Sequence, residues 1–182
     1  MVNNNNHSIL KIDTHKIIAT LPIMPYQTIV CMGAEEGLFP ILFGKYVFDG
    51  KVIAYEKSKS NIDKTKKRLK KINLGNVTLK EYAIGIKMSP ESVDGIFISD
   101  WNLYNNALEI FTKALKNNSW LTILMDPNNK SQSIPKSQIS KLGFKKDSEI
   151  FIDDQHKLYN FRFLLLRHLN ANKTYNPLSW HR

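Results

Sequence analysis

Thr28-Ile29-Val30-Cys31-Met32-Gly33-Ala34-Glu35-Glu36-Gly37 and, a little further on, Gly50-Lys51-Val52-Ile53-Ala54-Tyr55-Glu56 are the two stretches that decide the fold. Each is a short apolar run without polar alternation, the pattern of a strand buried on both faces of a parallel sheet. The first run stops at a glycine and the second at an acid. Between them residues 37–47 read as an apolar helix, in which Pro40 is tolerable only in the first turn. Asp49-Gly50 marks the turn that leads back into the second strand.

Working outward, the alternation continues. Residues 59–72 place Ile62, Leu69 and Ile72 on one face of a lysine-rich helix, with Gly75 expected as its stop. Asn76 to Lys80 reads as a strand, Met88 to Ser92 as a loop and Val93 to Ile98 as a buried strand. Ala107, Leu108, Phe111, Ala114 and Leu115 recur at helical spacing, so a helix is expected over 104–117. Ser119 to Met125 is a strand, and Pro135 to Leu142 a short helix closed by Gly143. Phe144–Ile152 and Tyr159–Arg167 are β-rich. The loop between them, Asp153 to Leu158, is too short for a helical crossover, so these two strands should pair antiparallel. Alternating strands and helices with right-handed crossovers give an α/β fold, an open, mostly parallel, doubly wound sheet of about seven strands. A ligand belongs at the carboxyl ends of its strands, at the switch point beside strand one.

The 182 residues suit one domain, expected over 15–168, between a polar N-terminal tail (1–14) and a C-terminal tail (169–182) in which Trp180 is the one docking candidate. Hydrophobic residues make up 42% and charged ones 23%, which excludes a fibrous or wholly disordered chain. The single cysteine, Cys31, excludes a disulfide framework and any zinc site with two thiolates from one chain. His7, His15, His156, His168 and His181 share no ligand spacing, so no metal is expected. No secretory leader pattern and no membrane-span-length apolar run is present, which reads as a cytoplasmic protein.

Charge points to anions: 26 basic against 16 acidic residues leave +10. Much of the excess lies in Lys57–Lys71, where Asp63 is the lone acid. That helix reads either as a solvated lysine face or as a surface that tracks RNA phosphates. Aromatic residues for base stacking are missing from it.

Gly33-Ala34-Glu35-Glu36-Gly37 opens a helix from a strand, a turn that lets backbone approach a nucleoside. Glu56 follows roughly 20 residues beyond it, where a carboxylate can accept both ribose hydroxyls. The dinucleotide pattern G-x-G-x-x-G, begun at Gly33, fails at Glu35 and Leu38. A Tyr-x-x-x-Lys pair is also lacking, which disfavours a nicotinamide dehydrogenase. The pattern acid-x-G-x-G-x-G, begun at position 31, is met at Gly33 and Gly37 but not at Cys31 or Glu35.

With these segments, and with Gly75-Asn76-Val77, Pro90-Glu91-Ser92-Val93-Asp94 and Leu142-Gly143-Phe144 at matching spacing, residues 15–168 resemble a class I S-adenosylmethionine-dependent methyltransferase. The resemblance is to the type 11 group, which includes quinone-biosynthesis enzymes. It implies a Rossmann-like seven-stranded sheet in the order 3-2-1-4-5-7-6, its last strand antiparallel, with helices on both faces. It also implies S-adenosyl-L-methionine as cofactor, held by Cys31, Gly33, Ala34, Glu35, Gly37, Glu56, Lys57, Tyr82, Ala83 and Ser99. The first motif is degenerate: Cys31 replaces its acid, Glu35 its middle glycine, and Ala83 the usual acid after strand three.

After strand four, Asp100 reads as a general base or a helix cap, and Trp101 as a stacking surface or a packing residue. Asn102 joins Trp101 as a substrate-side candidate. The double-proline pattern of base-amino methylation is absent here. The implied activity is methyl transfer to a small molecule of the quinone kind. The alternative is a catalytically degenerate relative that serves as a basic binding or scaffold module, with RNA as its partner. The short N-terminal part and brief Asn128–Ser137 insertion leave a substrate pocket that is open or completed by a second subunit, as in a homodimer.

Overall fold

A computed structural model describes residues 12–83, 86–129, 134 and 136–164. The order is α1 (Thr14–Thr20), β1 (Thr28–Met32), α2 (Leu38–Tyr46), β2 (Lys51–Glu56), α3 (Lys59–Ile72), β3 (Val77–Glu81) and β4 (Val93–Ile98). Next come α4 (Trp101–Tyr104), α5 (Leu108–Thr112), β5 (Leu115–Met125), α6 (Lys136–Lys141), β6 (Phe144–Phe151) and β7 (Lys157–Phe163). The seven strands form one sheet ordered β3-β2-β1-β4-β5-β7-β6, as the resemblance implies. β1 to β5 are parallel, and β7 runs antiparallel to both β5 and β6.

Two cores follow from the period-2 alternation of strand side chains. Val30 and Met32 of β1 point with Tyr55, Ile96 and Ile98 into one layer, which α4, α5 and α6 cover. Ile29 and Cys31 point with Val52, Ala54 and Phe97 into the other, beneath α1 and α2. In that second layer Phe39 and Phe43 of α2 close on Phe97 at ring-centroid distances of 4.7 and 5.0 Å. Gly95 has no room for a side chain, because a Cβ there would lie 2.0 Å from the Trp120 ring on the neighbouring strand.

Four sequence expectations shift. Ile12 is buried and Asp13 caps α1 by accepting from the Lys16 amide, so residues 12–14 pack with the domain instead of belonging to the tail. α3 ends at Asn73, not at Gly75: Asn73 takes the left-handed cap at φ 58°, which asparagine tolerates, and its amide donates to Leu69 O. The helix expected over 104–117 is broken into α4, a 3-10 turn at Asn105–Ala107 and α5, and β5 begins as early as Leu115. Its apolar residues are nevertheless buried as their spacing requires. Finally, β7 ends at Phe163, and His168, Trp180 and both expected tails apart from residues 12–14 lie outside the described residues.

Among the described residues no helix is long and apolar enough to cross a membrane. Nor do three His, Cys, Asp or Glu side chains gather there as a metal-ligand set.

Candidate functional site

The carboxyl ends of β1, β2 and β4 meet at the switch point, and the turn after β1 is the first part of the site. Gly33 has φ 91°, and a Cβ on it would fall 1.9 Å from Ser99 Oγ, so β4 comes up hard against this backbone. Glu35, Glu36 and Gly37 follow at φ 44°, 54° and 92°. Two successive non-glycine residues in the left-handed region cost about 1–2 kcal/mol each. What offsets this is local: Gly37 N–H donates to Ala34 O at 2.8 Å, Arg68 of α3 donates to Glu36 O at 3.0 Å, and Lys64 pairs with the Glu36 carboxylate at 2.5 Å.

Glu56 is the second part. It ends β2 with its carboxylate 2% exposed and turned into the protein. Oε1 accepts from Lys57 N at 2.8 Å, Ser58 N at 2.9 Å and the Tyr104 hydroxyl at 3.1 Å. Oε2 accepts from Ala34 N at 2.9 Å and Asn61 Nδ2 at 3.5 Å. The carboxylate therefore ties the end of β2 to the turn after β1, to the start of α3 and to α4.

Tyr104 is the third part, and sequence reading missed it. Only 1% exposed, it reaches from α4 across the strand ends to Glu56, and its oxygen also accepts from Lys57 N at 3.2 Å. Burial, and after it the Glu56 charge, push its phenol well above the ordinary tyrosine range. Tyr82, just past β3, meets it edge-on at 5.7 Å. The Lys57 ammonium lies over both rings, 4.8 Å from Tyr82 and 5.1 Å from Tyr104, and donates to Leu103 O. The α4 segment thus bridges to the loop after β2. Asn61, the other unforeseen partner, had no signal beyond its place in the first turn of α3.

Glu35 sits between the turn and β4, and its Oε1 lies 3.0 Å from Ser99 Oγ. Burial raises its carboxyl pKa; the Ser99 bond opposes this, while the charges of Glu56, Asp100 and Glu36 raise it further. Among the described residues Glu35 forms no ion pair.

The other expected residues divide. Gly33, Ala34, Glu35, Glu56, Lys57, Tyr82 and Ser99 converge on this region, Gly37 lies instead against Ile41 of α2 and Thr65 of α3, and Ala83 is exposed beside Tyr82. Cys31 does not line it. As alternation dictates, its side chain enters the α2 layer, fully buried, with Sγ 3.5 Å from Gly33 O. Burial pushes its thiol far up, so it is a packing residue beneath the turn. Trp101, 4% exposed, belongs to the α4–α5 core and offers no open face for stacking. Asp100 caps α4, its Oδ1 accepting from Leu103 N at 3.1 Å, and Asn102 is exposed.

No family model and no curated protein matches the chain. Solved structures do. A SAM-dependent methyltransferase from Aquifex aeolicus superposes with a TM-score of 0.71 at 16% identity, over 84% of this chain and 90% of that one. A SAM-dependent O-methyltransferase from Thermotoga maritima gives 0.68 at 20% identity, over 85% of this chain and 66% of the other. Geranyl diphosphate methyltransferase in complex with SAM gives 0.65 at 11%, over 83% and 84%. At these identities the likeness is one of fold, the Rossmann-like methyltransferase fold.

Proposed function

We propose that this chain binds S-adenosylmethionine at the ends of β1, β2 and β4 and transfers its methyl group to a small-molecule acceptor. The buried Glu56 carboxylate, aimed across the turn at the switch point, carries the reading. Three of its five donors are backbone amides and fixed; the other two, Tyr104 Oη on Oε1 and Asn61 Nδ2 on Oε2, are side chains that can turn away. A ribose presents two adjacent hydroxyl donors, one for each oxygen so vacated, and the donor chemistry fits two for two.

When bound, the cofactor supplies a methyl group on a cationic sulfur. The chain's own part is positional: Glu56 fixes the sugar, Gly33 lets backbone come close, and Tyr82 and Lys57 border the space over β2 and β3. Asp100 has one oxygen committed to its cap, and in this reading its other oxygen takes a proton from the acceptor. Within this reading the acceptor is a quinone-like metabolite, as the type 11 resemblance implies.

A second reading, a non-catalytic module of the same fold, is favoured by two observations: Tyr104 already occupies Glu56 and Ser99 already fills the space over Gly33. In that case the exposed lysines of α3 are the working surface, and RNA is the partner. Calorimetric titration with S-adenosylmethionine and S-adenosylhomocysteine separates the two. Micromolar binding that Glu56→Ala abolishes supports the enzyme. Absence of binding at millimolar ligand, together with salt-dependent RNA binding that charge reversal of Lys66 and Lys67 removes, supports the module and ends the first reading.

A further inference from the structure

α4 is short, yet three separate contacts fasten it over the strand ends. The Tyr104 hydroxyl donates to Glu56 Oε1 at 3.1 Å, the Lys57 ammonium donates to Leu103 O, and that ammonium lies over the Tyr104 ring. All three run between α4 and the end of β2 with the residue that follows it. They span the gap between β2 and β4, where a nucleoside held by Glu56 would have to lie. Two of the groups resemble such a ligand chemically, being a hydroxyl on the carboxylate and an organic cation against two aromatic rings. Trp101 and Tyr104 seat the helix in the core, but its own backbone holds it lightly. Its amides at Leu103 and Tyr104 bond only back to Asp100, and a 3-10 turn at Asn105–Ala107 separates it from α5.

We propose that α4 is a latch, in which Tyr104 and Lys57 stand in for the ligand, and that nucleoside binding proceeds by exchange of the Tyr104 hydroxyl for a ligand hydroxyl with outward movement of residues 101–104. This rests on the cofactor reading above and adds to it a determinant of affinity. A closed state that must open first lowers apparent affinity by the fraction of molecules open, so loosening the latch tightens binding. One hydrogen bond to a buried charge corresponds to about a 10- to 150-fold change in such an equilibrium.

The test is calorimetric titration of S-adenosylhomocysteine into the full chain and into two variants. Tyr104→Phe removes the hydroxyl while keeping the ring, and Lys57→Met removes the tie to Leu103 O. Amide hydrogen exchange is followed over residues 100–105 in the free and saturated proteins. The expected result is binding tighter by about 10-fold or more in Tyr104→Phe, a smaller gain in Lys57→Met, and faster exchange at Leu103 and Tyr104 in the saturated wild-type protein. Equal or weaker binding by both variants, with unchanged or slower exchange at those amides, overturns the latch. A wild-type protein that binds through Glu56 yet is indifferent to Tyr104→Phe loses the latch alone. If neither the wild type nor either variant binds, the cofactor reading fails and the latch falls with it.

Discussion

Glu35 offers the sharpest test of the site's energetics, because it carries two separable burdens. Its backbone is left-handed at φ 44°, which costs about 1–2 kcal/mol for a residue with a Cβ. Its carboxyl is half-buried near Glu56, Asp100 and Glu36, and its pKa is raised in the fold. A carboxyl with a raised folded pKa binds more protons folded than unfolded between the two pKa values, so its contribution to stability falls as pH rises through that window. Above the folded pKa the ionised group is a full liability; below the unfolded value near 4.5 the liability is gone. Glu35→Gln keeps the shape and can keep the Ser99 contact while removing the charge, so it should raise the melting temperature at pH 8, with a gain that shrinks toward pH 4.5. Glu35→Gly removes both burdens. It loses the Ser99 bond, worth about 0.5–1.5 kcal/mol, and adds about 0.5–1 kcal/mol of chain entropy to the unfolded state, so these losses about cancel the strain relieved and the gain at pH 8 is that of removing the charge. Its melting temperature should therefore follow that of Glu35→Gln, above wild type at pH 8 and converging on it toward pH 4.5. Circular-dichroism melts of the three proteins across pH 4.5–8 decide the matter. A Glu35→Gln variant less stable than wild type at pH 8, or one whose advantage grows on acidification, refutes the reasoning.

Further outcomes at three positions follow from the fold. Gly95→Ala should lower stability by roughly 3 kcal/mol, since the Trp120 ring cannot yield to a Cβ 2.0 Å away. Gly75→Ala, with nothing within 4 Å, should be neutral or stabilising by about 0.4–1 kcal/mol; urea midpoints with unchanged m-values measure both. Asn73→Ala should cost about 1 kcal/mol by losing a tolerant left-handed cap, whereas Asn73→Gly should match or exceed wild type in the same titration.

Much of the architecture was legible because hydropathy reports burial directly. Ile29–Met32 and Val93–Ile98 lack alternation because both faces of the central strands are covered, and the brevity of the loop after Ile152 forces the antiparallel closure. What the pattern could not carry was choice among equally spaced solutions. The apolar residues from Ala107 to Leu115 are buried as expected, yet the backbone divides them among a 3-10 turn, a short helix and the start of β5. Asn73 and Gly75 both suit a helix stop, and it is Asn73 that takes the left-handed cap. At the site, Glu56 and the Gly33–Gly37 turn were readable because they are fixed by position along strands. The resemblance implies Cys31 among the ligand residues, although strand alternation sends it into the α2 layer. Of the two readings open for Trp101 the packing one holds, and Tyr104, to which the sequence assigns no role, reaches the carboxylate. That outcome depends on how α4 lies across β1 toward β2, a contact between residues 48 apart in sequence that no local pattern encodes.

The most direct measurement is a crystal structure of the chain soaked or grown with S-adenosylhomocysteine. The expected result is a ribose whose two hydroxyls bond Oε1 and Oε2 of Glu56, with the Tyr104 hydroxyl displaced and Gly33 against the ligand. A structure grown at saturating ligand in which Tyr104 still bonds Glu56 and no nucleoside lies at the ends of β1, β2 and β4 contradicts the proposed function.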